Sequence, residues 1–180
     1  MSAEAFAIAD TCFLIDWASW RHRDLLFELF KTVFVPESVI KEIRSERTVE
    51  WIANSLASGS LSLFTETPDV ISLARDLVER SKLFPIRGLD LPEAICLAVG
   101  KMRNYTVITE NRGALMAVDI LEELSSVRVW RSLELITEGL RRGLMRGDPR
   151  VIFAEYEGDT GHRFPKRDLE VVLLELGGED

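Results

Sequence analysis

Four acidic residues stand at places in this chain where an α/β protein does its chemistry. Asp10 closes the apolar run Ala5 to Ala9, and Glu110 directly follows a second run, Thr106 to Thr109. Glu42 lies on the flank of a helical face made by Val39, Ile40 and Ile43, and Glu93 begins a helix introduced by Asp90-Leu91-Pro92. Acids that converge on one crevice repel one another, and a divalent cation relieves that repulsion. Oxygen-only ligands suit Mg²⁺ or Mn²⁺, and such a site activates water and stabilises the leaving oxygen of a phosphodiester. Each acid also has a purely structural reading. Asp10 and Asn111 suit helix N-caps, Asp90 with Glu93 suits a capping box, and Glu110 suits a first-turn acid favoured by the helix dipole.

The segments that must position these residues alternate between strand and helix patterns. Apolar runs at 5–9, 33–35, 61–64, 106–109 and 127–130 read as strands. Helical spacing marks 12–20 and 25–30, a helix opened by Pro36, and the stretches 49–56 and 71–78. It marks also the segment from Leu91 through Met102, then 111–118, 132–146 and a last helix with Leu169, Val172, Leu173 and Leu176 on one face. This alternation predicts an α/β fold, a Rossmann-like α/β/α sandwich with a mainly parallel sheet. The expected division is a domain over 1–146 and a helical extension over 147–180 packed on it. In such sheets ligands bind beyond the carboxyl ends of the strands, where the strand order reverses. If the first strand and the strand ending at Thr109 are neighbours, Asp10 and Glu110 meet at one edge.

Composition narrows the classes. With 180 residues, 47% apolar and 29% charged, the chain is long enough for a core and too apolar for disorder. No apolar run approaches the roughly 18 to 20 residues a bilayer requires. Met1-Ser2-Ala3-Glu4 lacks a basic leader, so a cytoplasmic location without a membrane is the expectation. The net charge of −8 argues against a uniformly basic nucleic-acid-coating surface. His22 and His162 form no HxxxH pair and Cys12 and Cys96 no CxxC pair, so zinc is not expected, and both cysteines read as small buried hydrophobes.

The sequences Ile8-Ala9-Asp10-Thr11-Cys12-Phe13-Leu14-Ile15-Asp16, Val35-Pro36-Glu37-Ser38-Val39-Ile40-Lys41-Glu42-Ile43, Leu91-Pro92-Glu93-Ala94-Ile95-Cys96-Leu97-Ala98 and Val107-Ile108-Thr109-Glu110-Asn111-Arg112, in this order, resemble the PIN-domain family. That family includes the VapC-type toxin ribonucleases of prokaryotic toxin–antitoxin pairs. The likeness spans roughly residues 5 to 145. It implies a metal-dependent endoribonuclease with Mg²⁺ or Mn²⁺ as cofactor, and a catalytic, metal-holding set of Asp10, Glu42, Glu93 and Glu110, with Asn111 as a further metal ligand. Glu93 is one methylene longer than the Asp common in many members, and Asn111 brings no charge. Thr109 matches the hydroxyl residue that often precedes the last acids.

For the substrate, single-stranded or structured RNA, the candidate contacts are Thr11, Thr109, Arg112 and Arg44, with Lys41, Arg47, Arg163, Lys166 and Arg167 as further cations. Trp17, Trp20, Trp51 and Trp130 read as packing residues rather than base-stacking platforms. The resemblance also implies a small antitoxin partner and a homodimer, for which apolar residues around Leu25, Leu26 and Leu29 offer a surface. Gly139, Gly143 and Gly147 read as a close helix contact. Two rivals remain. A PIN-like RNA-binding or scaffold module without hydrolysis is favoured by Asn111. A dinucleotide enzyme is disfavoured, because Asp10-Thr11-Cys12-Phe13 stands where a GxGxxG turn belongs.

Overall fold

The computed structural model describes residues 4–85 and 87–177; the leader expectation at Met1 to Ala3 and the last three residues of the extension lie outside them. Among the described residues five strands form one sheet: β1 (Glu4–Ala9), β2 (Phe30–Pro36), β3 (Leu61–Phe64), β4 (Thr106–Ile108) and β5 (Val129–Trp130). Their order is β3-β2-β1-β4-β5 and every pairing is parallel. Parallel neighbours need crossovers, and helices supply them. They are α1 (Thr11–Trp17), α2 (Leu25–Leu29), α3 (Glu37–Glu42), α4 (Glu46–Ser58), α5 (Pro68–Ser81), α6 (Leu91–Arg103), α7 (Arg112–Ile120) and α8 (Ser132–Arg141). The tail adds α9 (Pro149–Thr160) and α10 (Lys166–Gly177). The α/β class with a parallel sheet flanked by helices is thus present. No helix among the described residues is long and apolar enough to cross a membrane.

The strand order reverses between β1 and β4, because the chain runs outward from β1 through β2 to β3 and then returns to the other side of β1. Asp10 follows β1 and Thr109-Glu110 follow β4, so both expected acids leave adjacent strands at this switch point. The register is explicit. Ala9 lies beside Ile108, and the ladder continues one step further as the Asp10 N–H donates to the Ile108 carbonyl at 2.9 Å.

Several expectations need correction. Leu25, Leu26 and Leu29 are not a free surface; they are 3%, 0% and 0% exposed, because α2 packs on β2 and against α8. A Cβ on Gly139 would sit 2.8 Å from Leu25 side-chain carbons, so the expected close helix contact is this one. The helix at 132 ends at Arg141 rather than 146, and Gly143 beyond it takes a left-handed φ of 69°. Cys12 is half-buried rather than buried.

The tail contains a helix that the periodicity did not predict. In α9 only Ile152, Phe153 and Tyr156 are buried, a stripe barely one turn long. Its start signal is sound: the Asp148 carboxylate accepts from the Arg150 N–H at 2.9 Å, and Pro149 occupies the first helical position. Gly161 closes it with φ 76°, a left-handed conformation that glycine adopts without strain. Tyr156 packs against Trp17 and Trp20, with ring centroids 5.8 and 5.3 Å away. Arg21 grips Asp159 through its guanidinium at 2.8 and 2.9 Å, and the Arg21 N–H adds a bond at 3.0 Å. The Tyr156-to-Phe164 stretch is therefore the end of α9 and the corner that leads to α10.

Candidate active site

Asp10 is the centre of the site. It is only 2% exposed, yet it carries a carboxylate, so it must be hydrogen-bonded. The Thr109 hydroxyl donates to Oδ2 at 2.8 Å, the Thr11 N–H donates to Oδ1 at 2.6 Å, and the Cys12 thiol lies 3.5 Å from Oδ2. Burial nevertheless dominates and raises the Asp10 pKa, with the Glu42 charge pushing the same way. Asp10 also stands at the N-cap of α1, so its structural and functional readings coexist. The Cys12 thiol is pushed up to about 12, first by burial and then by the Asp10 charge, which keeps it a neutral neighbour rather than a nucleophile.

Glu42 ends α3 and is exposed; its Oε2 accepts from the Thr11 hydroxyl at 2.9 Å. Thr11 thus joins the two acids, its N–H serving Asp10 and its hydroxyl serving Glu42. The Glu66 carboxylate, an acid that the sequence pattern did not single out, accepts from the Ser38 N–H at 2.7 Å and secures the first turn of the short α3.

Glu93 is half-buried in the first turn of α6, where the Asp90 N–H donates to its Oε2 at 3.1 Å as in a capping box. The other oxygen accepts from the Asn111 side-chain amide. Burial raises the Glu93 pKa to about 7, and the charge of Asp10 adds to the rise. Asn111 caps α7: its Oδ1 accepts from the Gly113 N–H at 2.7 Å and the Ala114 N–H at 3.2 Å, and its own N–H donates to Thr109 Oγ1 at 3.0 Å. With Oδ1 on the helix and the amide on Glu93, Asn111 acts as a donor that holds a carboxylate where an acid would repel it.

Glu110 is not brought to the others. Successive residues along an extended chain point to opposite faces, and Thr109 faces Asp10, so Glu110 is directed the other way. It reaches across to the residue after β5, accepting from the Ser132 N–H at 2.7 Å and from the Ser132 hydroxyl. Its Oε2 lies 3.7 Å from His162 Nε2, while His162 Nδ1 lies 3.6 Å from Asp16 Oδ2. These are ion-pair separations, too long for hydrogen bonds. Burial raises the Glu110 pKa. The Asp16 carboxylate raises that of His162, and Glu110 pushes it the same way. Asp16 and His162 carry no functional signal in the sequence; what joins them is spatial.

Among the described residues no three His, Cys, Asp or Glu side chains are gathered closely enough to hold a metal ion. The structure links Asp10 to Glu42 through Thr11, and Glu93 to Asp10 through the field between them. Arg112 and Arg44 are both exposed. Arg112 lines a cavity with Glu110 and His162, whereas Arg47 lines a separate cavity against Arg23 and Trp51 that includes none of the expected acids. Trp17, Trp20 and Trp51 are buried, as packing residues should be, and Trp130 is half-buried.

No family model matches the sequence, and no curated protein matches it. Among solved structures, a chain in the crystal structure of VapBC2 from Rickettsia felis bound to a DNA fragment from their promoter is similar, with a TM-score of 0.48 and 10% identity, over 70% of this chain and 98% of that one.

Proposed function

We propose that the chain is a metal-dependent endoribonuclease that hydrolyses phosphodiester bonds of RNA at the crevice around Asp10. The observation that carries this reading is the Asp10–Glu93 pair. Two carboxylates from separate elements, both raised by burial, lie within electrostatic reach of each other at the topological switch point of a parallel sheet. Burial and mutual repulsion both disfavour their charged forms, and a bound cation would offset that cost. The donors are all oxygen, which suits Mg²⁺ or Mn²⁺, and Asp10 Oδ1 receives a single N–H, leaving a lone pair. Since no three acids are gathered among the described residues, Asp10 and Glu93 would hold the ion with water completing its shell and Glu42 acting through that water, and when bound it would supply Lewis acidity toward a phosphodiester.

The chain's own groups do the positioning. Thr109 and Thr11 fix the Asp10 carboxylate, and Asn111 fixes Glu93. With its pKa near neutrality, Glu93 exchanges a proton readily at its carboxyl oxygens when no cation is present. Exposed Arg44 and Arg112 offer positive charge to the RNA backbone. The experiment is cleavage of single-stranded RNA in Mn²⁺. Turnover abolished by Asp10→Asn supports the reading, and turnover retained in that variant overturns it. A small antitoxin protein and a homodimer belong to the same reading; co-purification with the product of the adjacent reading frame and light scattering test them.

A second reading rests on Asn111. Its amide satisfies Glu93 in place of a fourth negative charge, which suits an RNA-binding module that does not hydrolyse. Binding of RNA without turnover in either Mg²⁺ or Mn²⁺ would select it.

A further inference from the structure

Beyond β4 and β5 a cavity of about 510 Å³ opens between α7, α8 and the corner joining α9 to α10. That volume falls inside the range of roughly 300 to 1,000 Å³ typical of small-ligand sites. Its inner wall carries Glu110, and Leu115, Leu133 and Phe164 provide apolar surface. Three arginines line it, but they are not equivalent. Arg131 is already neutralised by Glu134 at 2.6 Å and Asp168 at 2.9 Å. Arg163 is 70% exposed; its Nη1 donates to the Glu157 and His162 carbonyls at 2.9 and 3.2 Å, and the Glu157 carboxylate lies 3.9 Å away, so its remaining N–H groups face solvent. Arg112 has no ion-pair or hydrogen-bond partner among the described residues. In a chain of net charge −8, this opening is a place where an anion meets uncompensated positive charge.

We infer that this cavity is a subsite for one nucleotide of the RNA strand, its phosphate held by Arg112 and Arg163 at the mouth and its base lying on Leu115, Leu133 and Phe164. The inference rests on the endoribonuclease reading and extends it to the neighbouring nucleotide. Position supports it: Glu110 in the wall follows Thr109, whose hydroxyl holds Asp10, and its carboxylate turns toward Ser132 after β5, so the cavity opens beside the switch point on the β5 side. Orientation follows from charge. The Glu110 carboxylate, its oxygens already facing Ser132 and His162, repels a phosphate from its end of the cavity, whereas the cations stand on α7 and the tail corner. An acidic protein side chain would also meet Arg112, but it would leave the apolar floor uncovered. The tail thereby gains a role: residues 162–165 complete a wall that the sheet alone lacks.

The test is fluorescence anisotropy with a short fluorescein-labelled single-stranded RNA of mixed sequence, on an Asp10→Asn background that prevents turnover. Arg112→Ala and the cavity-filling Leu115→Trp should each weaken binding about tenfold, and Arg112→Glu more, while Arg75→Ala on α5 removes the same charge with less than about a twofold effect. Thermal unfolding of each variant shows that it is folded. Equal losses from Arg112→Ala and Arg75→Ala, unchanged binding in Leu115→Trp, or no RNA binding at all would overturn the subsite. So would a glutamate-rich peptide that binds in an Arg112-dependent way when the RNA does not. Cleavage by the unmodified protein in Mn²⁺ is scored separately. Cleavage with Arg112-independent binding sinks the subsite alone, and Arg112-dependent binding without cleavage sinks the nuclease reading alone.

Discussion

Asp10 and Glu110 leave adjacent parallel strands at the same edge of the sheet, and the structure treats them in opposite ways. Asp10 is met by a hydroxyl and an N–H on one side and by the fields of Glu42 and Glu93 on the other. Glu110 is met by both donors of Ser132 and by the imidazole of His162, whose raised pKa matches a cation beside a carboxylate. One acid is left with surplus negative company and the other with a partner. A carboxylate at a strand end therefore says little by itself, and what balances its charge separates a candidate catalytic group from a structural one.

The sharpest way to break this contrast is to neutralise each acid in turn. Asp10→Asn should lower the rate of RNA cleavage in Mn²⁺ by at least about a hundredfold, whereas Glu110→Ala should change it by less than about threefold. Similar losses in both would erase the distinction. Glu93→Gln should cost about tenfold in the same assay, because Glu93 lies within the field of Asp10 and its substitution removes one of the two paired carboxylates.

Stability against pH sharpens the comparison. The native Glu93 carboxyl binds its proton more tightly than the unfolded one, so the folded state carries more protons between pH 4.5 and about 7 and loses stability as pH rises through that window. Without divalent ions, thermal unfolding should show this fall, Glu93→Gln should reduce it, and added Mg²⁺ should oppose it. Asp10 and Glu110, both raised by burial, slope the same way, so the difference between variant and parent is the quantity to read. His162 is raised as well, and its stabilising charge is complete below pH 6.5 and lost as pH climbs through the native value. His162→Gln should flatten the unfolding curve above pH 6.5 and, by removing the cation that lowers the Glu110 pKa, raise that carboxyl further.

The smallest effect expected is on Glu110→Ala stability. Orphaning the Ser132 N–H and hydroxyl should cost about 1 to 3 kcal/mol, a drop of several degrees in Tm for a chain of this length. A drop absent in Glu110→Ala would mean that the Ser132 bonds do not hold the edge.

Much of this was legible in the sequence. The alternation of apolar runs with helical stretches predicts the parallel sheet, and the acids after the first and fourth strands mark one edge on the condition, met in the structure, that those strands are neighbours. The pairing of Asn111 with helix capping was also readable from residue type. The direction of Glu110 was not, because the face on which a residue leaves a strand depends on a register that no local pattern reveals. Nor was the fate of Leu25, Leu26 and Leu29, which look like an uncovered stripe until α8 arrives from more than a hundred residues away. The helix α9 escaped because its buried stripe is too short for periodicity to exceed its polar remainder.

The contact of Tyr156 with Trp17 and Trp20 has a consequence for synthesis. The ribosome releases the two indoles early, but their cover emerges on the order of ten seconds later at ordinary elongation speed. Until then the nascent chain displays an oily aromatic ledge near its front end, the kind of surface that chaperones grasp. Chains cut short before residue 156 should therefore be conspicuous as aggregates and as holdase clients, even though every strand of the sheet has already been made.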